Sequence, residues 1–183
     1  MKKTLLTLGL TFIWIFGFPC GGEERWDVKT CTDIAASKIN TTPIISKITD
    51  LVNEESGKIG NSTPRHAIEF TIRTVTCYIS YWKYEADSDI HIVMNDIENP
   101  SITMIAEIPN PNCDIAKTSK YEKEFINTRN KFLSFKKTAH TVKSGTYILT
   151  GVAFFDKIHG QKGVAKNGIE IHPLLSIQVA TRK

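Results

Sequence analysis

The stretch 68–81, "IEFTIRTVTCYISY", constrains the fold more than any other part of the chain. Its apolar residues recur at every second position, the period of a strand with one buried face. Ile68, Phe70 and Ile72 fall on even positions, whereas Val75, Cys77, Ile79 and Tyr81 fall on odd ones. The phase therefore reverses near Arg73 and Thr74. One extra residue in a β-bulge reverses the phase in this way and bends the strand. A long, bent first strand is what a small closed barrel requires.

Two further period-two runs follow. "IHIVM" places Ile90, Ile92 and Met94 on one face, with His91 and Val93 on the other. "TMIAEI" places Met104, Ala106 and Ile108 on one face, with Ile105 and Glu107 on the other. Pro109 and Pro111 end that run. The period then changes. Tyr121, Phe125, Thr128, Phe132 and Phe135 step by three and four, which predicts one amphipathic helix. Ser119 followed by Glu122 reads as its capping box. Two last strands are expected over 146–155 and 168–179. The order is β-β-β-α-β-β: a mainly β chain, a β-barrel with one helix. It is the order of the OB-fold, a five-stranded, partly open Greek-key barrel.

Residues 23–64 read as a short, partly helical lead-in packed on a barrel over 65–183. Asp33 is placed to cap a short helix over 34–39. Thr42 and Pro43 are placed to start a second one, with Ile44, Ile45, Ile48, Leu51 and Val52 on its apolar side. Residues 1–22 read as a secretory signal peptide, with Lys2 and Lys3 as the basic region and an uncharged apolar core after them. Cleavage is expected after Gly22. The alternative is a lipoprotein signal with a lipid anchor at Cys20, for which "GFPC" is a poor match. Either way the chain is expected to be exported: periplasmic, cell-surface or extracellular. No transmembrane helix is expected in the mature chain.

Charge narrows the partners. The chain carries 23 Lys+Arg and 19 Asp+Glu, a formal +4. Without Lys2 and Lys3 the balance is 21 against 19, or +2. A protein that relies on phosphate contacts carries a clearer basic excess. Four Cys are present, Cys20, Cys31, Cys77 and Cys113. Loss of Cys20 would leave an odd number, and the spacings match no zinc motif. Cys77 reads as a buried small apolar residue.

In an OB barrel, the loop between strands one and two and the loop between strands four and five flank the binding face. Here these are 85–91 and 156–168. The first carries Glu85, Asp87, Asp89 and His91, and the second carries His159, Gln161 and Asn167. Asp87, Asp89 and His91 are spaced by two, which puts them on one face of an extended chain. Glu107 shares the non-core parity of strand three, as Glu170 and His172 do on strand five. Carboxylate and imidazole ligands together suit a divalent metal, with Asp89, His91 and His159 as the first candidates. The same groups could serve acid–base chemistry. Against this, "DSD" is ordinary turn chemistry. Tyr78, Tyr81, Trp82 and Tyr84 could offer a stacking platform or fill the core. The sequence holds no nucleophile elbow, phosphate loop, zincin helix or dinucleotide fingerprint.

Four blocks carry a resemblance: "RWDVKTCTD" (25–33), "KYEADSDIHIVMND" (83–96), "TMIAEIPNPNC" (103–113) and "TGVAFFDKIHGQKGVAKNGIEIHPLLSI" (150–177). Together they resemble an uncharacterised family of small secreted bacterial proteins. The resemblance implies an exported domain with the β-β-β-α-β-β core and brings no activity with it. Cys31 stands where that pattern suggests a small residue such as Gly, and Lys166 where it suggests Pro. The likeness to staphylococcal-type nucleases is one of fold alone, and fold does not carry function. The expected function is binding of a ligand at the mouth formed by the two loops: an oligosaccharide, a peptide or a single-stranded nucleic acid. One alternative is a metal-dependent hydrolase of the phosphodiesterase or nuclease kind, using Asp87, Asp89, His91, Glu107, His159 and His172. Another is a structural envelope protein.

Overall fold

A computed structural model describes Cys20 and residues 24–180. The expected signal segment other than Cys20, and the terminal Arg182 and Lys183, lie outside the described residues. The lead-in comes first. It comprises helix α1 (Trp26–Lys29), a 3-10 turn (Ile34–Lys38), edge strand β1 (Asn40–Ile45) and helix α2 (Ile48–Leu51). The second expected helix is shorter than the spacing suggested. Ile44 and Ile45 belong to β1, which pairs in parallel with the first barrel strand and is exposed along its length. Pro43 is tolerated there because an edge strand has backbone N–H groups to spare. Only Ile48, Leu51 and Val52 reach the core. Asp33 precedes the 3-10 turn without capping it. Its carboxylate instead accepts from Arg65, with Nη2 at 2.7 Å and Nε at 3.0 Å.

The barrel strands are β2 (Thr71–Tyr84), β3 (Ile90–Asp96), β4 (Thr103–Ile108), β5 (Tyr147–Phe155) and β6 (Ile169–Val179). Their order is β2-β3-β4-β6-β5, and β5 pairs back onto β2 to close the barrel. All neighbours are antiparallel except β4 and β6, which run parallel. This is an OB-fold-like barrel, with β1 as one extra strand on β2.

The phase reversal in the first strand has a different cause from the expected bulge. From Ile72 to Cys77 the ladder with β5 is unbroken. Ile68 and Phe70 lie before the strand, in a 3-10 turn (Ala67–Phe70). Ile72 faces a second apolar cluster outside the barrel, with Ile39, Phe125 and Val152. Val75 and Cys77 face inward with Met94 and Leu149. The strand has two buried faces in succession, and alternation alone cannot distinguish that from an inserted residue. A true irregularity lies further on, between Ile79 and Tyr81 in the ladder with β3. It turns Trp82 into the core, edge-on to Phe132 at 5.5 Å.

Helix α4 (Glu122–Phe135) follows the short helix α3 (Asp114–Lys117) and lies between β4 and β5. Its buried residues are Phe125, Thr128, Phe132 and Phe135, the predicted stripe. Each phenyl side chain removed from water contributes about 1.5–3 kcal/mol. The expected capping box does not form. Ser119 Oγ accepts from the N–H of Tyr121 at 3.2 Å, and Tyr121 holds the cap position without a side-chain bond.

Cys20 is disulfide-bonded to Cys113. The bridge ties the start of the described chain to the residue preceding α3. Cleavage after Gly22 would remove one half of it, and an acylated Cys20 could not form it. Cys31 and Cys77 are buried free thiols. Burial raises the Cys77 pKa to about 12, as fits a core residue.

Candidate functional site

On β3, β4 and β6 the inward positions are apolar: Ile90, Ile92, Ala106, Ile108 and Ile171. The outward positions between them form a polar row. Lys83 pairs across the ladder with His91, and His91 pairs with Glu107. Glu170 sits beside Ile105 on one side and Phe154 on the other. Such an outer row is ordinarily solvated. Here His91, Glu170 and His172 are each 0–1 % exposed. Two segments face this row. The α1 segment brings Arg25 and Lys29 onto the Phe154 ring, at 4.9 Å and 5.5 Å from its centroid. The 156–168 loop folds down onto β3. Gly163 permits that approach, because a Cβ there would stand 2.5 Å from Val93 Cγ1.

His91 is fully engaged. Its Nδ1 lies 3.0 Å from Glu107 Oε1 and 3.2 Å from Glu85 Oε1, and its Nε2 lies 2.9 Å from the Lys162 carbonyl oxygen. Acceptors at both nitrogens call for a doubly protonated ring. Burial opposes that charge, but Glu107, Glu85 and the carbonyl outweigh it and raise the pKa to about 10. Burial likewise pushes Glu107 toward its neutral form. The His172 and His91 rings beside it prevail and hold it well below the usual carboxylate range.

Glu107 joins this set to a second one. Its Oε2 lies 3.3 Å from His172 Nδ1, and His172 Nε2 lies 3.8 Å from Asp89 Oδ2. None of these contacts has hydrogen-bond geometry. Asp89 Oδ2 and both ring nitrogens of His172 are buried without partners, as is Glu170 Oε2. Asp89 Oδ1, by contrast, accepts from the N–H of Asn110 at 2.6 Å. Burial, with Asp87 and Glu107 close by, raises the Asp89 pKa well above the usual range. Burial, with Glu107 and Asp156, does the same to Glu170.

Above this layer opens a cleft of about 720 Å³. The 85–91 loop lines it with Glu85, Ala86 and Asp87, and the 156–168 loop lines it with Asp156, His159, Gly160, Gln161 and Lys162. Glu24, Trp26 and Lys29 close a third side, and Glu107 also reaches it. Gln161 Nε2 donates to Asp156 Oδ2 at 3.2 Å, and its Oε1 accepts from the N–H of His159 at 2.9 Å. Lys29 Nζ lies 3.3 Å from Asp156 Oδ1. Burial would lower the Lys29 pKa, but Glu107, Asp156 and Glu170 raise it. Lys29 therefore carries its charge.

The two loops do meet, but the expected residues divide among different places. Glu85, Asp87, Glu107, His159 and Gln161 line the cleft. Asp89, His91 and His172 are buried. Asp87 and Asp89 are not extended in line with His91, because a tight turn with Ser88 at φ 69° precedes β3. Asp87 Oδ1 accepts from the N–H of Asp89 at 3.1 Å, the turn chemistry of its residue type. Asn167 points elsewhere, donating to the carbonyls of Leu51 and Glu54 in the lead-in. Asp89, His91 and His159 do not form one ligand set. The residues spaced to hold an ion are Glu24–Asp156–His159, Glu85–His91–Glu107 and Asp89–Glu107–His172. Tyr78, Tyr81, Trp82 and Tyr84 line none of the cleft. Trp82 is in the core, and Tyr81 stacks on His140 at 5.2 Å.

Sequence reasoning missed Glu24, Trp26, Lys29 and Asp156. The first three lie in an aperiodic lead-in that no pattern places over the barrel. Asp156 was legible in one respect, as the first residue after a strand that enters the loop. No protein-family model matches the chain, and no curated protein matches it in sequence.

Proposed function

We propose that this is an exported OB-fold-like binding protein that takes a short oligosaccharide in the cleft between the 85–91 and 156–168 loops. The observation that carries the reading is the lining of that cleft. A half-buried indole, Trp26, stands among five carboxylates, Glu24, Glu85, Asp87, Glu107 and Asp156, with Gln161 and His159 beside them. Sugar rings offer C–H faces to an aromatic side chain and hydroxyl donors to carboxylates and amides. Lys29, Lys83 and Lys162 are the cleft's cations and are outnumbered by its carboxylates. That balance repels a phosphate backbone and disfavours the nucleic-acid alternative. The hydrolase alternative counts His91 among its working groups, yet both its nitrogens are taken up by protein. Export with the Cys20–Cys113 bridge intact fits processing before Cys20.

Binding of a panel of neutral and amino-sugar oligosaccharides, measured by calorimetry in the presence of chelator, tests the proposal. A hit should weaken about tenfold in Trp26→Ala, the equivalent of about 1.4 kcal/mol. Saccharides that fail to bind, while single-stranded DNA or acidic peptides bind with steep salt dependence, would refute it.

A further inference from the structure

We propose that Asp89, Glu107 and His172 bind a divalent transition-metal cation of the Zn²⁺ or Mn²⁺ class beneath the floor of the cleft. The site shares Glu107 with the cleft, but metal binding is read out without any saccharide. The three side chains come from the turn before β3, from β4 and from β6. Each offers one ligand atom, and the three atoms lie within 4.8 Å of one another. Glu107 Oε2 stands 3.3 Å from His172 Nδ1, and Asp89 Oδ2 stands 3.8 Å from His172 Nε2. Atoms that each lie about 2.0–2.2 Å from a tetrahedral ion stand about 3.3–3.6 Å apart. An ion takes one ring nitrogen; the 3.8 Å between Asp89 Oδ2 and Nε2 is too long for a hydrogen bond and near the separation of two ligands.

The decisive feature is that the groups are bare. Asp89 and His172 are each 1 % exposed. Asp89 Oδ2 and both His172 nitrogens lack a hydrogen-bond partner. Buried polar groups in folded proteins are almost always paired, and a set of them converging on one point calls for a partner. A cation answers both carboxylates and one ring nitrogen, and the other nitrogen is left to carry the ring proton. The two carboxylates supply −2 against its +2, and imidazole with carboxylate selects this class of ion over alkaline earths. Outer contacts hold the ligands in place, as such sites require. Asn110 N–H fixes Asp89 Oδ1 at 2.6 Å, His91 fixes Glu107 Oε1 at 3.0 Å, and Phe154 meets the His172 ring edge-on at 5.6 Å. Glu107 reaches the cleft, which gives the ion its way in. The two neighbouring sets lack this feature. His91 is already satisfied, and the His159 side chain is 55 % exposed, within reach of water.

The test is thermal unfolding of the disulfide-bonded chain, stripped of metal and titrated with Zn²⁺, Mn²⁺, Mg²⁺ or Ca²⁺, with calorimetric stoichiometry. One equivalent of Zn²⁺ or Mn²⁺ should bind and raise Tm. Asp89→Asn keeps the acceptor for Asn110 and removes the charge. Its metal-free Tm should equal or exceed that of the wild type, while Zn²⁺ affinity falls at least tenfold. His172→Gln should lose the ion as well. The proposal is overturned if none of the cations raises the wild-type Tm. It is equally overturned if the rise persists in Asp89→Asn, which would point to the His159 cluster.

Discussion

Two buried charged clusters lie against the lead-in, and they are built in opposite ways. At the first, Arg25 Nη1 and Nη2 donate to Glu69 Oε1 and Oε2 at 2.8 Å and 2.6 Å. The remaining donors reach the carbonyls of Phe155 and Thr63, and the carboxylate also accepts from the N–H of Phe155 and of His66. Every strong donor and acceptor has a protein partner. At the second, Asp89 and His172 are as enclosed beside Glu107, yet Asp89 Oδ2 and both His172 nitrogens have no hydrogen-bond partner. A complete network is a latch: it pins α1 and the Ala67–Phe70 turn to the end of β5. An incomplete one in the same shell holds its groups open for something else. Burial alone does not separate structural charge from functional charge, whereas satisfaction does.

Four substitutions would break or sharpen that contrast. The largest effect is expected at the latch. Glu69→Gln leaves the Arg25 charge enclosed and should cost about 3–5 kcal/mol in urea unfolding, in line with a broken buried pair. A loss under 1 kcal/mol would mean that the latch is not one. Gly163→Ala comes next. Its φ of +84° and the close Val93 methyls should cost about 1–3 kcal/mol and loosen the loop whose carbonyl meets His91. Hydrogen exchange of residues 157–168 reads that loosening. His91→Gln acts through pH. The folded pKa of about 10 stands above an unfolded value of about 6.5. Its stabilisation is therefore complete below the unfolded value and lost as pH rises through the folded one. The variant should show a flatter decline in Tm over that alkaline range, and an unchanged slope would contradict the pairing. Asp89→Asn should have the smallest effect without metal. The Asp89 pKa is raised in the fold, so its protonated form is favoured at low pH and stability is lost as pH rises through that value. Removing the charge should leave neutral-pH stability unchanged or raise it by about 1 kcal/mol. A clear loss would place Asp89 with the latch.

The barrel was legible because its strands alternate and its helix steps by three and four, both consequences of one buried core. The two misread segments share a cause. Ile72 and Val75 face different clusters, and Ile44 and Ile45 face solvent, so apolar spacing alone assigned them one face too many. At the site, parity placed Glu107, Glu170 and His172 outside the barrel, where they are. It could not show that the lead-in buries them, because Arg25 and Lys29 act through contacts distant in sequence, Arg25 on Phe154 and Lys29 on Asp156. Asn167 was misplaced for the same reason: its partners, Leu51 and Glu54, lie in the lead-in.

Anomalous diffraction from a crystal of the disulfide-bonded chain soaked in Zn²⁺ tests the contrast most directly. One peak between Asp89, Glu107 and His172, with the Arg25–Glu69 cluster unchanged, is the predicted result. A peak confined to Glu24, Asp156 and His159, or no peak at all, would contradict it.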